Sequence, residues 1–190
     1  MAFSAAEKDF GKTEPLVAHI LQSIGTAKKT VATTSNTSAS PRVSDSTYAS
    51  PDLSFDYPKG WEVHEWNGKE VEIKSTGNSA GGGSLHLGMF PANAGYTAEQ
   101  VAAMIETEHL AKLKDYKKQL ESTQTCGRKH DVTGLRHSYS ATAEDFPASI
   151  QVFVFQHNNN WYCLSLTLIG SDPTQSLKQF DSVLSSISLK

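Results

Sequence analysis

Apolar and polar residues alternate along most of the chain beyond residue 52, and a period of two marks strands. The clearest case is Ala148–Gly170, ASIQVFVFQHNNNWYCLSLTLIG. Ile150, Val152 and Val154 point to one face there, and Phe153 and Phe155 to the other. Beyond Asn160, Tyr162, Leu164, Leu166 and Leu168 oppose Trp161, Cys163, Ser165 and Thr167. The asparagines between the halves tolerate the left-handed backbone of tight turns, so the segment predicts a β-hairpin. Its first strand is apolar on both faces, which predicts a cover on each side of the sheet.

Further strands are expected at Leu53–Tyr57, from Trp61 to the Asn67-Gly68 turn, and over Lys69–Ser75, Ser84–Phe90, Gln119–Cys126 and Val132–Thr142. Lys69–Ser75 sets Val71 and Ile73 against Glu70, Glu72 and Lys74, the pattern of a half-buried strand. On Val132–Thr142, Leu135, His137, Tyr139 and Ala141 share a face. Tyr57-Pro58-Lys59-Gly60 has the spacing of a type I turn, and Trp61 beside it, with Phe55, reads as a core anchor.

Helical spacing appears three times. Thr97–Tyr116 opens with a capping box, Thr97 and Gln100, and carries Val101, Met104, Ile105, Leu110, Leu113 and Tyr116. Lys112, Lys114, Lys117 and Lys118 would complement the dipole at its C-terminus. Asp172 and Pro173 start a C-terminal helix striped by Leu177, Phe180, Leu184 and Ile187. Thr13–Gly25 carries Leu16, Val17, Ile20, Leu21 and Ile24 on one stripe, in a helix too short to be stable alone. The order of elements predicts the α+β class: an α/β/α sandwich around a central, mainly antiparallel sheet.

Between the first helix and the strands, residues 26–51 are rich in Ser, Thr, Ala and Asn. Such a segment cannot bury enough surface to offset its ordering entropy and reads as a flexible linker. The expected organisation is a short amphipathic helix (1–25), the linker (26–51) and one folded domain (52–190).

Composition narrows the function classes. The 190 residues carry a formal charge of -3 and a sequence pI near 6.1, which argues against binding nucleic acid through phosphate neutralisation. Only Cys126 and Cys163 occur, in separate predicted strands and in no C-x-x-C pair, so they form no zinc site. Two half-buried thiols are expected, with one disulfide open to them in an oxidising compartment. No apolar run approaches the roughly 18 residues of a membrane span. The first residues lack the apolar core of a signal peptide, so the expected location is cytoplasmic, or extracytoplasmic if a leader has been removed.

Motifs with chemistry are few. His64-Glu65-Trp66-Asn67-Gly68 begins like a zinc-protease helix, but Gly68 stands where the second His belongs and the segment is a hairpin. Glu106-Thr107-Glu108-His109 holds a single Glu-x-x-His, whereas di-metal bundles need two, and it reads as solvated surface. The glycine run in Thr76–Ser84 precedes a strand rather than the helix that a phosphate cradle requires. There is no G-x-S-x-G nucleophile elbow. Among seven histidines, His86 and His137 lie in predicted strands and would be the first ligands of any metal site. No catalytic residue, cofactor or resident metal is expected.

Three stretches taken together carry a family resemblance. They are Leu53-Ser54-Phe55-Asp56-Tyr57-Pro58-Lys59-Gly60-Trp61-Glu62-Val63, the mid-chain helix, and the ending Trp161–Thr167 followed by Phe180–Ile187. Over about residues 53–190 the chain resembles the PsbP/DcrB/Mog-like superfamily. That superfamily includes extrinsic photosystem subunits, envelope lipoproteins, secretion-system chaperones and a nuclear import factor. The shared residues are packing features, so the resemblance transfers no site residue. It implies a non-catalytic scaffold that binds other proteins. The alternatives are a small-molecule or metal-binding enzyme using strand histidines and a structural envelope component. The stripe Leu16, Val17, Ile20, Leu21 and Ile24 is the candidate partner-binding surface.

Overall fold

The computed structural model describes residues 46–65, 69–75, 82–92, 95–143 and 145–190. Its strands are β1 (Thr47–Ala49), β2 (Leu53–Asp56), β3 (Trp61–Glu65), β4 (Glu70–Ser75), β5 (Gly83–Pro91), β6 (Lys114–Cys126), β7 (Val132–Ala143), β8 (Phe146–His157), β9 (Asn160–Ile169) and β10 (Ser188–Leu189). Helix α1 spans Ala98–Glu108 and α2 spans Pro173–Ser186. The predicted hairpin is β8–β9, turning at Asn158 and Asn159, both with positive φ (46° and 58°). That backbone matches the right-handed twist of the strands it joins.

Seven strands pair antiparallel in the order β3-β4-β5-β9-β8-β7-β6, and β1-β2-β10 form a small second sheet. Among the described residues the fold is therefore α+β, mostly antiparallel sheet with two α-helices. The hairpin lies at the sheet's centre, which explains its two apolar faces. Ile150, Val152, Val154 and Cys163 meet Val101, Ala102 and Ile105 of α1. Phe153, Phe155, Tyr162 and Leu164 meet Phe180, Val183 and Leu184 of α2, and Leu53 and Phe55 of the small sheet. Burying each such side chain contributes roughly 1.5–3 kcal/mol.

Both helix starts follow the sequence. Thr97 Oγ1 accepts from the Gln100 backbone while the Gln100 side chain accepts from the Thr97 backbone, a complete capping box. Asp172 accepts from the Thr174 N–H, with Pro173 in the first turn.

Several local expectations change. The mid-chain helix ends at Glu108, a 3₁₀ turn covers Leu110–Lys112, and β6 already begins at Lys114. Lys114, Lys117 and Lys118 thus pair with β7 and do not complement a helix dipole. Leu110 is buried in this arrangement as it would have been in a helix, so its spacing did not separate the two. The turn before β3 is shifted by one residue: the Trp61 N–H donates to Pro58 O, with Gly60 at φ +83° in the position where a type II turn needs positive φ. Trp61 is only half-buried, packing at the edge of the core, whereas Phe55 is fully buried with Tyr48 5.3 Å away.

Tyr48 also corrects the expected linker, whose last residues 46–51 include a strand paired with β2 and a buried ring. One aromatic among small polar residues suffices when it reaches the core. Glu70 and Glu72, expected on a solvated face, are both buried. Alternation shows that β4 has two faces but not what packs on each. The expected helix at 13–25, most of the linker, the Asn67-Gly68 turn and most of the glycine run lie outside the described residues.

Candidate functional site

Polar side chains gather where α1 crosses the start of β6 and the middle of β7. β6 loses register twice there, between Lys114 and Lys117 and between Lys118 and Leu120, and Asp115 has φ 55°. Bulges re-aim side chains, and here Tyr116 and Lys118 both reach Glu106 of α1. The Tyr116 hydroxyl donates to Glu106 Oε1 at 2.5 Å, and Lys118 Nζ lies 3.2 Å from Oε2. On β7 the Tyr139 hydroxyl donates to Glu106 Oε2 at 3.4 Å and bonds His137 Nδ1 at 2.6 Å. His137 Nε2 faces Glu121 Oε2 at 3.6 Å, and Glu121 in turn holds Lys118 at 2.6 Å. Tyr116 and Tyr139 stack with centroids 5.7 Å apart.

The electrostatics follow from burial and these partners. Burial pushes Glu106 up, but its bonds from Tyr116 and Lys118 outweigh that and leave its carboxyl below the ordinary range. Burial, then Glu106, raises both phenols, so each stays a hydrogen-bond donor. Burial and the charge of Lys118 lower His137, so the imidazole is neutral at pH 7. Near the C-terminal end of α1, burial and Lys112 hold His109 down to about 4. The network therefore comprises two carboxylates, two phenols, a neutral imidazole and an ammonium. They are bonded to one another, with His137 and Tyr139 enclosed.

This cluster is not legible in the sequence. Glu106 and His109 were expected as solvated surface, yet Glu106 is the hub of the network and His109 is buried. No spacing pointed to it, because the partners come from α1, β6 and β7 and meet only through the bulged register. A stated candidate, His137, does belong to it.

His86 does not. Strand register aligns His64, Glu72, His86, Ser165, Val152, His137 and Glu121 as one row across all seven strands. His86 and His137 thus share a face, but β9 and β8 stand between β5 and β7. Three strand steps separate them by about 14 Å, too far to ligate one ion. His86 instead lies beside Glu72, whose carboxylate is held by Lys74 at 2.6 Å. Among the described residues no group of three or more His, Cys, Asp or Glu side chains is placed to hold a metal.

The two thiols pack in separate cores on opposite faces of the sheet, Cys163 with α1 and Cys126 with α2, and both are free. Burial raises them, Cys126 to about 11 and Cys163 to about 12, so neither is a thiolate nucleophile at neutral pH. An open hollow between the Tyr57-Pro58 turn and α2 is lined by Asp56, Asp172, Gln175 and Lys178. None of these carries a base poised on a nucleophile. Leu16, Val17, Ile20, Leu21 and Ile24 lie outside the described residues. No described helix is long and apolar enough to cross a membrane.

No protein-family model matches the sequence, and no curated protein matches it. Solved structures do match. A Bacteroides thetaiotaomicron protein aligns over 76% of this chain at 14% identity and a TM-score of 0.52, and the alignment spans 48% of that protein. The chain thus covers about half the length of that relative. LpqN of Mycobacterium tuberculosis, a protein involved in cell envelope biogenesis, aligns over 74% of this chain and 86% of its own at 11% identity and a TM-score of 0.50. The cyanobacterial PsbP protein CyanoP of Synechocystis aligns over 81% of this chain and 98% of its own, with 16% identity and a TM-score of 0.50. At these identities the likeness is one of fold, and it agrees with the resemblance carried by the Leu53–Val63 stretch and the terminal hairpin and helix. The chain has the PsbP/DcrB-like fold.

Proposed function

We propose that this chain is a non-catalytic protein-binding module, its domain an α/β/α sandwich with a helix on each face of the main sheet. The observation that carries the reading is the network around Glu106. The groups best suited to acid–base chemistry, Glu106, Tyr116, His137 and Tyr139, direct their polar atoms to one another inside a helix–sheet junction. A general acid or base must instead reach a substrate within hydrogen-bond distance. Used this way, the network fixes α1 on the sheet and leaves the outer surface for recognition.

The apolar stripe Leu16, Val17, Ile20, Leu21 and Ile24 is the first candidate for that recognition, with residues 26–45 as its tether. An amphipathic helix on a flexible tether suits docking into a partner's groove. The test is to isolate the full chain with its partner from its native source, beside the double variant Ile20→Asp/Leu21→Asp. The variant is expected to keep the wild-type melting temperature and lose the partner. A melting temperature several degrees lower would make the stripe part of the core. A wild-type chain that elutes alone at its own mass would remove the binding reading itself.

A second reading, a structural component of a cell envelope, is favoured by the likeness to LpqN. Locating the native protein by fractionation separates it from a cytoplasmic binding module.

A further inference from the structure

β6 is one edge of the seven-stranded sheet, and among the described strands it pairs with β7 alone. An edge presents a row of backbone donors and acceptors, which proteins blunt with bulges and lysines. The first half of β6 has both, with two register shifts and with Lys114, Lys117 and Lys118. The second half has neither. Glu121–Thr125 runs in unbroken register with His137–Thr133, without proline, glycine or lysine, and Glu121, Thr123 and Thr125 are exposed.

The charge around this flat stretch is one-sided. From Lys112 to Lys129 the chain carries six basic residues and two acidic ones, although its total formal charge is -3. Both acids are engaged at home, Asp115 accepting from Thr142 and Glu121 holding Lys118. Lys112, Lys114 and Lys117 are exposed at one end of the edge, and Lys129 at the other, beside Arg128, whose guanidinium is held by Asp56 and the Ser186 carbonyl. Since α1 ends at Glu108, no helix dipole accounts for these lysines.

We propose, building on the protein-binding reading, that Glu121–Thr125 accepts an extended segment of a partner protein as an eighth strand of the sheet. The segment that fits is uncharged at its centre and acidic at both ends. Main-chain hydrogen bonds to a strand edge supply affinity, and complementary charge supplies register and encounter rate. A second copy fits poorly, because antiparallel pairing of two β6 edges would bring Lys117 of one close to Lys129 of the other.

The experiment uses the full chain and the peptide Asp-Asp-Thr-Val-Thr-Val-Thr-Asp-Asp, its lysine-ended twin, and a copy N-methylated at alternate residues. Binding is read by amide NMR shifts and hydrogen exchange. The acidic-ended peptide is expected to bind at least about tenfold more tightly than the lysine-ended one at low salt. It should slow exchange of those amides of Glu121–Thr125 that point away from β7, and the N-methylated copy should not bind. The variant Lys114→Glu/Lys117→Glu/Lys129→Glu, folded by its own NMR spectrum, should reverse the preference. Three results overturn the proposal: no binding by the acidic-ended peptide, equal binding of the N-methylated copy, or protection appearing elsewhere. So does protection, before peptide is added, of those amides of Glu121–Thr125 that point away from β7. That would give the edge to residues 1–45 of the same chain or, where sedimentation shows self-association, to a second copy. The broader reading fails separately, through a wild-type chain that recovers no partner.

Discussion

The hydroxyl of Tyr116 donates to Oε1 of Glu106 across the junction of β6 and α1, at 2.5 Å. The two residues are ten apart, close enough for a single helix to have carried both, yet they meet because the chain leaves the helix at Glu108 and returns as a bulged strand. The bond ties the end of α1 to the sheet and orients the carboxylate toward Lys118 and Tyr139.

Tyr116→Phe removes that donor and keeps the ring stacked on Tyr139. A hydrogen bond to a charged group contributes about 1.5–3 kcal/mol, and Lys118 compensates in part. The expected cost is about 1–2 kcal/mol in urea denaturation. A double-mutant cycle with Glu106→Gln should show coupling of at least about 0.5 kcal/mol. Strict additivity would mean that the two side chains do not interact in solution.

His109 makes the fold acid-sensitive. Its folded-state value of about 4 lies below the ordinary 6.5, so the unfolded chain binds the proton more readily. The stability it contributes is complete above pH 6.5 and is lost as the pH falls toward 4, a change of roughly 3 kcal/mol. His137, lowered in the same direction, adds to the loss. His109→Gln should flatten the fall of the denaturation midpoint between pH 7 and pH 4.5. An unchanged slope would place His109 in contact with water.

Gly134 lies on β7 where the aromatic pair of β8 crosses. A Cβ there would fall on the carbonyl oxygen of Val154, 2.7 Å from the Phe153 ring and 2.9 Å from the Phe155 Cβ. Because backbone is among the obstacles, a side-chain rotation cannot relieve the clash. Gly134→Ala is expected to destabilise by about 1–3 kcal/mol despite the strand geometry, as overpacking does. A thermal midpoint equal to wild type would show β7 free to move away from β8.

Phe55 and Trp61 separate the true core from its rim. Phe55→Ala removes a fully buried ring and should cost about 3–5 kcal/mol. Trp61→Ala, at a half-buried position, should cost clearly less in the same denaturation series. The reverse order would make Trp61 the anchor of the β2–β3 corner.

The sequence by itself determined the elements whose causes are local. Alternation across Ile150–Leu168, with asparagines able to take positive φ at its centre, was enough for the hairpin. The two apolar faces of its first strand required a cover on each side of the sheet. Thr97 with Gln100, and Asp172 with Pro173, marked both helix starts, because capping uses residues within one turn of each other. The end of α1 was not legible, since Leu110, Leu113 and Tyr116 keep helical spacing while a 3₁₀ turn and a strand bury them against the same core. Tertiary structure alone decided which residues became neighbours across strands. Register set His86 three strands from His137 and gathered Glu106, Lys118, Glu121, His137 and Tyr139 into one network. It also left Glu121–Thr125 as an unblunted edge. Those outcomes depend on strand order and on two bulges in β6, and neither is encoded in the spacing of residues within a single element.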